Sequence, residues 1–286
     1  MASQISLLRE LSKSGIVTLV LISVLGGYLA GHPFQQPFEP GRLALTLLAI
    51  LLLASGSSAL NQIQERKIDA TMPRTAGRPL PSGRISLQGA WAFVLSGITL
   101  GLVVLAWLDW TLFALGCLAV LSYNVLYTMW WKRKMPFAAV PGAIPGALPI
   151  LMGYVAASRE LMAPGGLYLF FILFFWQMPH FWVLALRYSA DYQKGGFPTL
   201  PVAHGEGITV SQIAVWCLAY VGVALAAPLF LGVGSVYLVI ALILSALLLW
   251  ELWRFARNPQ GKSWLRYFLW VTFSLVGYVG AAVLDL

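Results

Sequence analysis

The chain has 286 residues, 59% of them hydrophobic and only 10% charged, with a formal net charge of +8 and a mean hydropathy of +0.80. Those figures exclude an ordinary soluble domain and leave an integral membrane protein. The basic excess suits anionic lipid headgroups, and no basic stripe with interleaved aromatics lies on a soluble element, so no nucleic acid partner is expected.

Lipid cannot satisfy the edges of an open sheet, and the alternation of a membrane barrel is absent, so the predicted fold class is all-α. The first span is residues 14–31, preceded by about thirteen amphipathic residues that do not read as a cleavable signal or transit segment. The second, 43–60, leads straight into NQIQERKIDATMPRTAGR at 61–78, which carries two acids and four bases. Spans 87–108 and 110–131 meet at Asp109 and must be antiparallel; Lys132, Arg133 and Lys134 follow. The fifth span, 135–158, contains Pro141, Pro145 and Pro149, where kinks are expected. The sixth, 161–186, carries Phe174, Phe175, Trp176, His180, Phe181 and Trp182 and leads to Arg187, Asp191 and Lys194. Spans 208–231 and 232–250 turn back near Gly232, Arg254 and Arg257 come next, and 267–284 is the ninth. Cys117 and Cys217 fall inside spans with no spacing for a metal or redox pair and read as buried thiols.

The bases take sides. Sixteen of the eighteen fall on the face that holds the N-terminus and the connections after spans two, four, six and eight; only Arg42 and Arg159 fall on the other. The positive-inside rule therefore puts that face in the cytoplasm, with the C-terminus opposite, and a bacterial inner membrane is the expected location. The whole chain, 1–286, is one transmembrane domain. A weak repetition of acidic and basic connections suggests two four-helix halves, about 14–131 and 135–250, with 267–284 added.

Charge beside a bilayer is costly, so a cluster following an apolar helix is a functional candidate. Asn61, Glu65 and Asp69 recur every four residues, which on a helix gives one oxygen-bearing stripe. Carboxylates so spaced suit Mg²⁺, which takes one or two of them and leaves its other positions to water and substrate phosphates. Nearby Arg and Lys suit the remaining phosphate oxygens. Together they describe a diphosphate site at a membrane face, with aromatic surface from span six for an apolar tail. The plainer alternatives are a solvated helix end at Asn61, Glu65 and Asp69, topology determinants at Lys132–Lys134, and a hydrogen-bonded core residue at His180.

At these residues the chain resembles the UbiA superfamily of intramembrane prenyltransferases, and within it the protoheme IX farnesyltransferase (haem O synthase) branch. The family pattern N-x-x-x-D-x-x-x-D with a downstream R-T-x-x-R-P reads here Asn61, Glu65, Asp69, then Arg74, Thr75, Arg78 and Pro79. LSYNVLYTMWWKRKMP at 121–136 is similar to the family's Y-T-x-x-x-K-R stretch, and PGAIPGALPILMGY at 141–154 to its Gly/Pro-rich fifth helix. WQMPHFWVLALRYSADYQKGGFPTLPV, 176–202, resembles P-H-F-W followed by D-Y-x-x-x-G-x-P-x-L-P-V.

The resemblance implies nine helices around a central cavity and Mg²⁺-dependent transfer of farnesyl from farnesyl diphosphate to a vinyl group of haem b, followed by addition of water. Carried over by position, Asn61, Glu65, Asp69 and Asp191 would hold Mg²⁺ and be catalytic. Arg66, Arg74, Arg78, Lys132, Arg133 and Lys194 would bind diphosphate. Tyr127, Trp176, His180, Trp182 and Tyr188 would line the acceptor or prenyl pocket. A haem A synthase or terminal-oxidase assembly factor is the protein partner the resemblance suggests. Two departures stand out: Glu65 replaces the family's usual Asp, and Ala190 sits where many members carry a second acid. An aromatic acceptor, hydroxybenzoate or naphthoate, is the alternative within the family; a transporter is the alternative from another class.

Overall fold

The computed structural model describes residues 4–32 and 37–286. A short helix α1 (Gln4–Leu11) precedes α2 (Ser14–Gly31), α3 (Pro40–Asp69), α4 (Leu87–Leu108), α5 (Trp110–Lys134), α6 (Ala139–Ser158) and α7 (Pro164–Arg187). The short α8 (Ser189–Lys194) then leads to α9 (Leu200–Leu225), α10 (Ser235–Arg257) and α11 (Ser263–Asp285). Among the described residues nine of these helices are long and apolar enough to span a bilayer, and there is no strand.

Several helices outrun the expected spans because charged turns can continue a helix beyond the hydrocarbon. The 30 residues of α3 measure about 45 Å against a core of roughly 30 Å, so the last turns, with Arg66 and Lys67 favouring the C-terminal dipole, stand beyond it. Helix α9 starts at Leu200 rather than 208, with Pro201 in its first turn and Gly205 at φ 79 inside it. It ends at Leu225 rather than 231, where a turn containing Pro228 follows. Pro145 and Pro149 lie within one continuous helix, α6.

Close backbone approach fixes the helix pairs. A Cβ on Gly27 of α2 would overlap the Ile150 carbonyl oxygen of α6, and one on Gly153 of α6 would overlap the Val24 carbonyl oxygen of α2. Gly97 and Gly101 of α4 meet the Leu52 and Ala49 carbonyls of α3 in the same manner, at 2.9 and 2.8 Å from their would-be Cβ atoms. Small residues are what membrane helices use for such contacts. At the end opposite the acidic cluster, Arg42 donates from Nε to the Ala156 carbonyl (2.6 Å) and from Nη1 to the Leu108 carbonyl (3.4 Å), capping the last turns of α6 and α4. The second half is cross-linked by buried hydroxyls, Tyr220 with Ser274 at 3.1 Å and Ser245 with Tyr278 at 2.8 Å.

One local departure positions the site. Residues Leu121–Trp131 of α5 are wound as a π-helix, and the Lys132 backbone N–H bonds the Tyr127 carbonyl five residues back. In an α-helix Tyr123 and Lys132, nine residues apart, face opposite ways. At about 4.4 residues per turn, nine residues make two turns, and Tyr123, Tyr127 and Lys132 share one face.

Candidate functional site

That face opens on a cavity of about 440 Å³ between α2, α3, α5, α6 and α7. Its apolar part is walled by Val20, Ile50, Leu53, Pro149 and Met152, and its polar end by Lys13, Asn61, Glu65, Asp69, Arg78 and Lys132. The predicted stripe on α3 thus reaches one pocket, and all three members are at most 3% exposed.

Each member has a basic partner drawn from a different part of the chain. Lys132 at the end of α5 donates to Glu65 Oε1 at 2.7 Å and lies over the Phe197 ring. After α3 ends, turns closed by Thr75 N–H to Met72 O and Arg78 N–H to Thr75 O fold the chain back, so that Arg78 Nη1 meets Asp69 Oδ2 at 2.7 Å. Asn61 donates from Nδ2 to Thr128 Oγ1 (3.1 Å), and its Oδ1 accepts from Lys13 Nζ at 2.5 Å.

Lys13 is a charged site residue that the sequence did not reveal. It stands at the corner between α1 and α2 in the left-handed region, φ 53, which directs its side chain inward to the cavity. Helix α1 is held there by Gln62, whose Nε2 donates to the Glu10 and Leu11 carbonyls, and by an ion pair of Glu10 with Arg84 at 2.6 Å. Burial, reinforced by the charge of Arg78, pushes the Lys13 ammonium down to about 7. The only sequence signal was a lysine directly before the first span, which topology alone explains.

At the rim, Arg74 approaches Asp191 of α8 at 3.9 Å and lies against the Tyr188 and Tyr192 rings, 5.1 and 5.9 Å from their centroids. Asp191 therefore joins the site through Arg74. The other expected residues do not reach the cavity. Arg66 turns back to the Ile63 carbonyl, Arg133 bonds the Thr128 and Gln64 carbonyls, and Lys194 is exposed on α8. Trp176 and His180 face α11 instead: Trp176 Nε1 donates to the Val271 carbonyl at 2.7 Å, and His180 Nδ1 lies 3.2 Å from Thr272 Oγ1, between Trp176 and Phe268. Trp182 is packed in the core, edge-on to Trp216 and Phe137. Of the aromatic residues named for the pocket, Tyr127 lines it, while Tyr188 only flanks its rim. Phe181 and Gln177 of α7 are on the wall.

The donor set fits a hard divalent cation that keeps positions for substrate. Asp69 Oδ1 is buried with no hydrogen-bond partner, an open oxygen ligand. Among the described residues no three His, Cys, Asp or Glu side chains form a ready cage. The cavity lining carries four basic side chains (Lys13, Arg74, Arg78, Lys132) against two carboxylates (Glu65, Asp69), leaving positive charge for an anion.

The sequence profile of the UbiA prenyltransferase family matches residues 20–275. A protoheme IX farnesyltransferase of Bdellovibrio bacteriovorus is 43% identical over 276 residues, covering 96% of this chain and 94% of that protein. Among solved structures, that of a digeranylgeranylglyceryl phosphate synthase superposes with a TM-score of 0.81 at 18% identity, covering 98% of each chain. A UbiA homolog from Archaeoglobus fulgidus bound to GPP and Mg²⁺ superposes with a TM-score of 0.67 at 17% identity, covering 97% of this chain and 99% of that one.

Proposed function

This chain belongs to the UbiA prenyltransferase family, and from that membership we propose that it transfers a farnesyl group from farnesyl diphosphate to a vinyl group of haem b, with addition of water, to give haem O. The observation that carries the reading is the buried Asp69 Oδ1, without a partner, among Lys13, Arg78 and Lys132 at the polar end of an apolar cavity. The name of the Bdellovibrio relative, a protoheme IX farnesyltransferase matched nearly end to end, supports the haem acceptor.

Asp69 would hold Mg²⁺ together with phosphate oxygens, Asn61 and Glu65 lying on the same stripe and Asp191 at the rim, and the ion would supply a Lewis acid for charge gathering on the departing diphosphate. Lys13, Arg78 and Lys132 bind the diphosphate oxygens and stabilise them as the allylic C–O bond breaks. Glu65 and Asn61 hold the two lysines in place. Val20, Ile50, Leu53, Pro149 and Met152 take the farnesyl tail and keep bulk water from the carbocation until the electron-rich vinyl group attacks it. Tyr127 and Phe181 present aromatic rings to that cation.

The reading places the protein in a bacterial cytoplasmic membrane with the charged end inward, as the basic residues favour. Release of diphosphate from farnesyl diphosphate by the purified protein tests it: release should need both Mg²⁺ and haem b. Release that ignores haem b, or that hydroxybenzoate supports equally well, would contradict it.

A further inference from the structure

Gln177 is an uncharged amide on the apolar wall of the cavity, and its orientation is fixed by chemistry. Its Nε2 lies 3.0 Å from the Ala143 carbonyl and 3.2 Å from the Leu173 carbonyl. Both neighbours can only accept, so the nitrogen must face them and both its hydrogens are used. Oε1 is thereby turned to Gly146, whose missing side chain leaves the space: a Cβ there would overlap Oε1. Among the described residues no donor reaches Oε1, and it is not sealed in protein. One turn along α6, Gly142 accommodates the Tyr127 ring in the same way, at 2.5 Å from its would-be Cβ. A helix-to-helix tie needs only the Nε2 bonds; the fixed, unused carbonyl oxygen on an apolar wall is left over from that role.

We propose that Gln177 Oε1 accepts a hydrogen bond from the one water that is added to the acceptor, holding it against the wall until the carbon–carbon bond has formed. This rests on the farnesyl-transfer reading above. In the step, the allylic C–O bond breaks with its electron pair leaving on diphosphate. The vinyl π pair bonds the farnesyl carbon, which leaves a cation on the vinyl carbon next to the porphyrin. The held water, with one O–H directed to Gln177, gives its lone pair to that carbon, and its proton passes to a diphosphate oxygen. Without a held water the same cation sheds a proton instead and ends as an alkene.

The test is the ratio of hydroxylated to alkene product, read by mass spectrometry after incubating purified full-length protein with farnesyl diphosphate, haem b and Mg²⁺. Gln177→Met removes the acceptor, and Gly146→Ala displaces it while changing only the space at the flexible end of Gln177. In each, the ratio should fall roughly three- to tenfold, the worth of one hydrogen bond, with the KM for farnesyl diphosphate little changed. A wild-type ratio in a folded Gly146→Ala or Gln177→Met protein overturns the assignment, because a merely structural glutamine would lower yield without redirecting product. Wild-type protein that farnesylates no haem would instead sink the underlying reading.

Discussion

Lys13 Nζ lies 2.5 Å from Asn61 Oδ1, so a residue from the corner before the first span reaches the first member of the oxygen-bearing stripe on the second. A buried ammonium facing a neutral amide is poorly compensated, and it becomes well compensated when an anion arrives. Lys13→Met should therefore raise the KM for farnesyl diphosphate by roughly ten- to a hundredfold, the value of a charged hydrogen bond, without lowering the melting temperature in detergent. A lower melting temperature with unchanged KM would mean that Lys13 is structural.

Glu65 is the departure from the family's usual Asp, and its partner Lys132 lies at 2.7 Å, with Glu65 side-chain exposure of 3%. Lys132→Met strands a buried carboxylate and should cost about 3 kcal/mol of stability. Adding Glu65→Gln should recover that stability but not the transfer activity, which needs the cation. Glu65→Asp, one methylene shorter, should still transfer, with weaker binding of the donor; complete inactivity would show that the backbone is fitted to Glu.

Asp69 and Asp191 should differ in degree. Asp69 is buried and carries the open oxygen, so Asp69→Ala should lower kcat by about a hundredfold or more. Asp191 meets Arg74 at 3.9 Å at the partly exposed rim, so Asp191→Ala should cost about tenfold in kcat/KM. Full Mg²⁺-dependent transfer in either variant would show that the donor site is elsewhere. Steady-state rates with varied farnesyl diphosphate separate the cases.

Much of this was legible in the chain because hydropathy reports the spans and a four-residue spacing reports a helix face. The stripe Asn61, Glu65 and Asp69 is such a case. What remained hidden depends on how helices are turned against one another. Trp176 and His180 sit on α7 with Gln177 and Phe181, yet packing turns the first pair to α11 and the second to the cavity. The π-wound stretch of α5 likewise rotates Lys132 onto the face of Tyr123, a shift that α-helical spacing cannot anticipate. Lys13 and Gln177 are single polar residues beside or within apolar runs, where a topology marker and a site residue look the same.

The reciprocal contact of Gly27 with Ile150 and Gly153 with Val24 ties α2 to α6 and so sets the width of the cavity between them. Gly153→Val places a branched side chain against backbone that cannot yield and should destabilise by about 3 kcal/mol, while Gly280→Val, with open space around it, should be nearly neutral. Thermal unfolding in detergent compares the two.

The central claim is tested most directly by mass spectrometry of the haems recovered after purified protein is incubated with farnesyl diphosphate, haem b and Mg²⁺, with hydroxybenzoate as a parallel acceptor. The expected result is haem b carrying one farnesyl group and one water, formed only with Mg²⁺ and lost in Asp69→Ala. Unmodified haem alongside prenylated hydroxybenzoate would contradict it.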